Sequence, residues 1–293
     1  VTTTGADHNI TNVNPWVSYS EGVRFASTAT YGQAASSITI GSSATLTISA
    51  RHADMLTAAD VDPGVDGGTV WVFGISATPD TDLSGLTNND VVLDLDDTET
   101  TSVQTGFKLG AAYLITVTGD AAAPRLLDLT AMDAADLAAT TFSVATNVVL
   151  KLTAEQADGI SVSGAGSVYV TDLTSTPDAD LSGIATDLTI DIGENGNVAF
   201  DDASATDAKI DIAAGKILTI VGGIDGSPSV LDVTDADQFT IDATALISVS
   251  AFNKLVASAA QLDQVEAVGD GTVTVQDIHS TLDVQLIEVA PTG

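Results

Sequence analysis

The chain has 293 residues, no cysteine, 40 acidic side chains against eight basic ones, and a formal charge of −32. Those figures remove disulfides, thiolate catalysis and zinc–thiolate sites, and so little basic surface argues against nucleic acid or an anionic membrane as partner. At 44% hydrophobic residues the chain is too apolar for a disordered acidic tail, yet no apolar run approaches the roughly 18 residues of a membrane span.

Of the acidic residues, 34 are Asp and six are Glu. Glutamate would dominate a solvated helical surface. Aspartate prefers turns and caps, and is a common calcium ligand. Aromatics make up 4% of the chain, and Ala, Val, Thr, Ile and Leu carry most of the apolar content. Small and β-branched residues suit thin, regular β layers.

Residues 1–43 stand apart. Trp16, Tyr19, Phe25 and Tyr31 gather in NPWVSYSEGVRFASTATYG, which reads as a cap on the first repeat or as an arm that docks on a neighbouring subunit. The chain opens at VTTTGADHN without an initiator Met, as expected of a processed form or part of something longer. Repeat 1 spans 44–147: ATLTISARHADM (44–55), the acidic loop LTAADVDPGVDGG (56–68), then GTVWVFGISATPDTDLSGL (68–86). Repeat 2, 148–245, answers with VVLKLTAEQADG (148–159) and GSVYVTDLTSTPDADLSGI (166–184). PRLLDLTAMDAADL (124–137) likewise corresponds to PSVLDVTDADQFTI (228–241). A partial repeat 3, 246–293, opens with LISVSAFNKLV and carries GTVTVQDIHSTLDVQLIEV at 271–289. Recurrence at a fixed period is the mark of a repeat architecture.

Inside each copy, short alternating runs such as SVYVTDL, DLTIDI, AKIDIA and ILTIVG predict half-buried strands, separated by turn sequences such as GENGN and GGIDGSP. Helical spacing is confined to 130–139, 153–159 and 251–262. The last places Phe252, Leu255, Val256 and Leu262 on one stripe. The fold class is therefore mainly β with a few short helices, in one of two architectures. One is a β-solenoid of stacked rungs. The other is a row of tandem β-sandwich repeats of about 100 residues each.

The carboxylates are the candidate site. Pro79 and Pro177 each open a turn, followed by Asp80 and Asp82 or Asp178 and Asp180. In extended chain an i, i+2 spacing puts both carboxylates on one face, where with carbonyls and water they could ligate calcium. The competing reading is that the first Asp caps the turn and the second is solvated. Asp94, Asp96 and Asp97 form a second acidic cluster and Asp201 and Asp202 a third. Asp60, Asp62 and Asp66 lie in the inserted glycine-rich loop. None matches a helix–loop–helix calcium pattern, but a charge of −32 on one chain is self-repulsive and calls for cations.

Enzyme signatures are missing. His8, His52 and His279 are isolated, no G-x-S-x-G elbow frames a serine, and no Walker or dinucleotide loop follows a strand. A solenoid glycan-active enzyme using two carboxylates is the one enzymatic alternative.

LTAEQADGISVSGAGSVYVTDL with PDADLSG, the Thr/Ala/Val/Asp-rich composition and the absence of cysteine resemble the repeats of large secreted bacterial surface proteins. These are surface-layer proteins and calcium-dependent adhesins. The resemblance implies export to the cell surface, calcium-stabilised β structure and self-assembly. The expectation is a non-enzymatic, extracellular structural protein whose partner is itself, forming a filament or a lattice. An adhesin stalk or a module binding cell-surface glycan is the alternative.

Overall fold

A computed structural model of the chain describes residues 45–56, 68–86, 90–95, 100–109, 114–119, 124–137, 140–200, 208–236, 238–242 and 244–277. Strand backbone alone is described at Ser18–Tyr19, Val23–Thr30, Gln33–Ile40 and Val61–Asp62. The chain divides into two compact units, Val1–Val148 and Val149–Gly293.

In the first unit Val23–Thr30 and Gln33–Ile40 form an antiparallel hairpin, and Ser18–Tyr19 pairs antiparallel with Thr45–Ser49. The aromatic side chains of 1–43, and with them the cap or docking role, lie outside the described residues. From Thr45 onward the pattern changes. Thr45–Ser49, Thr69–Phe73, Asp90–Leu95, Leu114–Gly119 and Thr141–Val144 pair in parallel, each with the next. Their register stacks Leu46, Val70, Val91, Ile115 and Phe142 in one buried column and Ile48, Val72, Leu93, Val117 and Val144 in a second. Burying each such side chain contributes about 1.5–3 kcal/mol, and the intervening residues point outward as the strand's period of two requires.

The second unit repeats the device. Val148–Thr153, Ser167–Thr171, Asp187–Asp191, Ile217–Val221, Leu246–Val249 and Glu266–Val268 pair in parallel in that order. Leu150, Val168, Leu188, Leu218 and Ile247 make its column. Two complete turns of chain show the cross-section. Asp187–Asp191, Asn197–Ala199 and Lys209–Ile212 are followed by Ile217–Val221, Ser229–Asp232 and Gln238–Ile241, and each strand of the first turn pairs in parallel with its counterpart in the second. Parallel pairing between successive turns of chain is solenoid geometry. An immunoglobulin-type sandwich pairs its strands antiparallel, so the two architectures left open by the sequence resolve in favour of the β-solenoid within each unit.

Of the three helical readings, 153–159 forms one short helix at Ala154–Ala157, and 130–139 shortens to a single 3-10 turn at Ala134–Asp136. The third is overturned: Asn253–Ser258 is a strand, paired in parallel with Ser229–Asp232 and with Thr272–Gln276. Leu255, Val256 and Ala257 are buried there, while Phe252 is exposed. The apolar spacing fits a helix stripe, but a rung of this coil needs a strand at that station to satisfy its neighbours' backbone groups. Tertiary pairing overrides the local period.

Candidate functional site

The two Pro-Asp-x-Asp-Leu-Ser-Gly turns fold alike. Between the two aspartates the chain turns inward, burying Thr81 in one copy and Ala179 in the other, so both carboxylates of each pair face outward as their spacing predicts. Leu83 and Leu181 are buried just after. The closing glycine of the second turn is dictated by close approach. A Cβ on Gly183 would lie 2.1 Å from the Ile160 carbonyl oxygen.

The second aspartate of each turn ties three successive passes of chain together. In the first copy the Asp82 N–H donates to Asp54 Oδ1 of the preceding pass at 2.8 Å. Its Oδ1 accepts the Ser84 N–H at 2.8 Å, and its Oδ2 lies 3.6 Å from Lys108 Nζ of the following pass. In the second copy the Asp180 N–H donates to Asp158 Oδ1 at 2.8 Å. Its Oδ1 accepts both the Ser182 N–H at 3.0 Å and the Ser182 hydroxyl at 2.6 Å, and its Oδ2 lies 3.5 Å from Lys209 Nζ. The backbone follows the same path, with Asp82 in register with Lys108 and Asp180 bridged to Lys209.

Partial burial opposes ionisation of Asp82 and Asp180. The hydrogen bonds from Ser84 or Ser182 and the ammonium of Lys108 or Lys209 outweigh it, holding both carboxyls below the usual aspartate range. At each turn the counter-charge beside the second carboxylate is a lysine of the chain.

Other pairs recur at matching stations. Trp71 Nε1 donates to Asp94 Oδ2 at 3.1 Å, and the Tyr169 hydroxyl donates to Asp191 Oδ2 at 2.7 Å. Burial first, then the bond to Asp191 and its charge, push the Tyr169 phenol well above its ordinary value. Thr153 and Gln156 form a reciprocal capping box, Ser258 and Gln261 form the same pair of bonds, and Ser49 Oγ lies 2.6 Å from His52 Nδ1. His52 is thus a turn-closing residue.

Of the acidic residues singled out from sequence, Asp80, Asp82, Asp178 and Asp180 lie in the two turns, where Asp82 and Asp180 make the bonds between passes, and Asp94 pairs with Trp71. Asp60, Asp66, Asp96, Asp97, Asp201 and Asp202 lie outside the described residues, and only the strand backbone of Asp62 is described. Among the described residues no three His, Asp or Glu side chains gather closely enough to hold a metal ion. Also among them, no helix is long and apolar enough to cross a membrane. The sequence reading missed Asp54, Asp158, Lys108 and Lys209. The signal for the first two was present, because ARHADM and AEQADG align them. The lysines sit at different distances after their aspartates, so no fixed spacing marks them. In the second unit a polar hollow of about 520 Å³ is lined by Asp172, Thr174, Asp191, Glu194, Asn195 and Asn197, among others. Comparison with protein families, with characterised proteins and with solved structures finds no match to this chain.

Proposed function

We propose that the chain is a non-enzymatic structural protein that assembles with copies of itself outside the cell, as a filament or a surface lattice. The observation that carries this reading is the joint. Of the paired aspartates, the side chains that most suggest chemistry, the second of each pair is engaged in holding one pass of a solenoid to the next: Asp82 with Asp54 and Lys108, and Asp180 with Asp158 and Lys209. A coil built of such passes buries a face that no single pass could bury alone. Calcium enters the proposal as a neutraliser of the acidic surface and of the Asp-rich loops, with the joints held by lysine. Electron microscopy and sedimentation of the purified chain, with calcium and with a chelator, test it. Ordered polymers are expected, and a monodisperse monomer indifferent to the chelator would overturn it.

A second reading, a glycan-binding module, is favoured by the polar hollow beside Asp172 and Asn195. It expects a monomer that retains neutral oligosaccharides and loses them on Asn195→Ala.

A further inference from the structure

Asparagine and aspartate share a chemical weakness when glycine follows them. The glycine amide nitrogen attacks the side-chain Cγ, forming an N–Cγ bond and giving up its proton. Ammonia leaves from asparagine, or water from a protonated aspartate, and the backbone becomes a cyclic imide. Water then reopens the ring, at Cγ to give aspartate or at the main-chain carbonyl to give isoaspartate. Glycine favours closure because it has no Cβ to obstruct the approach. Among the described residues four steps of the chain have this form: Asp158–Gly159, Asn195–Gly196, Asp225–Gly226 and Asp270–Gly271.

The fold engages three of these four glycine amides. The Gly159 N–H donates to the Asp180 carbonyl at 2.8 Å, inside the second joint, and the Gly271 N–H donates to the Val249 carbonyl at 2.9 Å. The Gly196 N–H donates to the Gly193 carbonyl at 3.3 Å and to the hydroxyl of buried Ser229 at 3.2 Å. An N–H held by an acceptor keeps its proton, and freeing it requires the passes to open locally.

Asp225–Gly226 is built differently. The two residues form the centre of a tight turn. It is closed outside them, by the Ile224 N–H to the Ser227 carbonyl at 3.1 Å and the Ser227 N–H to the Ile224 carbonyl at 2.9 Å. Among the described residues the Gly226 N–H has no acceptor. Both central residues are exposed, and a Cβ added at Gly226 would meet nothing within 4 Å. The nucleophile is free and the ring has room to form. Below the turn the chain is anchored on both sides. The Gly223 N–H donates to Oδ1 of buried Asn253 at 2.9 Å, and the Ser229 N–H donates to the Phe252 carbonyl at 3.0 Å.

We propose that Asp225 is a modification site, the residue at which the folded chain converts to isoaspartate as it ages, and that the passes shield Asp158, Asn195 and Asp270 from the same reaction. Water is the only co-reactant. The methylene that isoaspartate adds to the backbone stays in the turn, between the anchors at Gly223 and Ser229. The product is an isoaspartyl carboxyl, the group that a protein carboxyl methyltransferase accepts. Asp225 reacts in this way whether or not the chain assembles.

Incubation of the dilute full chain in heavy-oxygen water, followed by digestion and mass spectrometry, tests the proposal, because each reopened ring carries one heavy oxygen. An isoaspartyl methyltransferase then labels the rearranged product. Heavy oxygen enters the peptide holding Asp225 at least tenfold faster than those holding Asp158, Asn195 or Asp270, since local opening must first free their amides. The methyl label falls on the Asp225 peptide, and Asp225→Ser removes it. In denaturant the order changes and Asn195 leads, because asparagine loses ammonia more readily than aspartate loses water. The melting temperature holds as isoaspartate accumulates. No incorporation at Asp225, or a folded chain in which any of the other three steps reacts as fast, overturns the assignment. The same order in the folded and the denatured chain overturns the shielding. A melting temperature that falls with the modification overturns its confinement to the turn.

Discussion

The joint at Asp82 and the joint at Asp180 share one design and differ in how far water reaches them. The Asp82 and Lys108 side chains are 39% and 50% exposed, against 32% and 30% for Asp180 and Lys209. Asp180 also gains the Ser182 hydroxyl, and its preceding turn is closed by a full capping box where the first copy has Ser49 and His52. The same motif therefore serves as a loosely solvated link in one unit and a better shielded one in the other. An exposed ion pair contributes little because water and salt screen it, so the difference is one of energy and not of geometry.

The largest expected effect falls where the joints are alike. Leu83→Ala and Leu181→Ala each remove a buried side chain and each cost about 2–5 kcal/mol, measured by denaturant unfolding. Unequal losses would show that the turns are packed differently. Next comes the carboxylate. Asp180→Ala costs about 1–3 kcal/mol, because it strips the acceptor from the Ser182 donors and the partner from Lys209. Asp82→Ala stays within the range of an exposed pair, under about 1 kcal/mol. Equal values would erase the distinction.

Acid sharpens it further. Both carboxyls titrate below the unfolded aspartate value in the folded chain. Their contribution is complete above that unfolded value, near pH 3.9, and is lost as pH falls through the depressed folded value. Stability measured from pH 6 downward (a convenient starting point, roughly two units above the aspartate range) loses this contribution in the wild type, and Asp180→Ala removes more of the slope than Asp82→Ala does. The smallest effect distinguishes Tyr169 from the Trp71 station. Its phenol, held protonated by burial and by Asp191, stays unionised in an ultraviolet titration at about pH 10–11, where free tyrosine ionises. Tyr169 ionising with the free tyrosines would contradict the bond to Asp191.

The β class was legible because the buried columns need an apolar residue at every second position of each strand, and ILTIVG or SVYVT carries that alternation openly. Parallel against antiparallel pairing was not legible, since alternation is identical in both. The helix read over 251–262 failed for a related reason: Phe252, Leu255, Val256 and Leu262 fit a helical stripe, and only the neighbouring passes at Ser229–Asp232 and Thr272–Gln276 make Asn253–Ser258 a strand. The first half of each joint was visible as Asp82 and Asp180. Its cationic half was not, because Lys108 and Lys209 arrive one pass later, after segments of different length, and no local spacing connects them.

The claim that the repeated acidic turn is a lysine-held joint is tested most directly by melting the wild type and Asp180→Ala with excess calcium and with a chelator. The account predicts that Asp180→Ala lowers the melting temperature by the same amount in both. A wild type that loses stability in chelator, together with an Asp180→Ala chain that has lost this response, would contradict it and make the turn a calcium site.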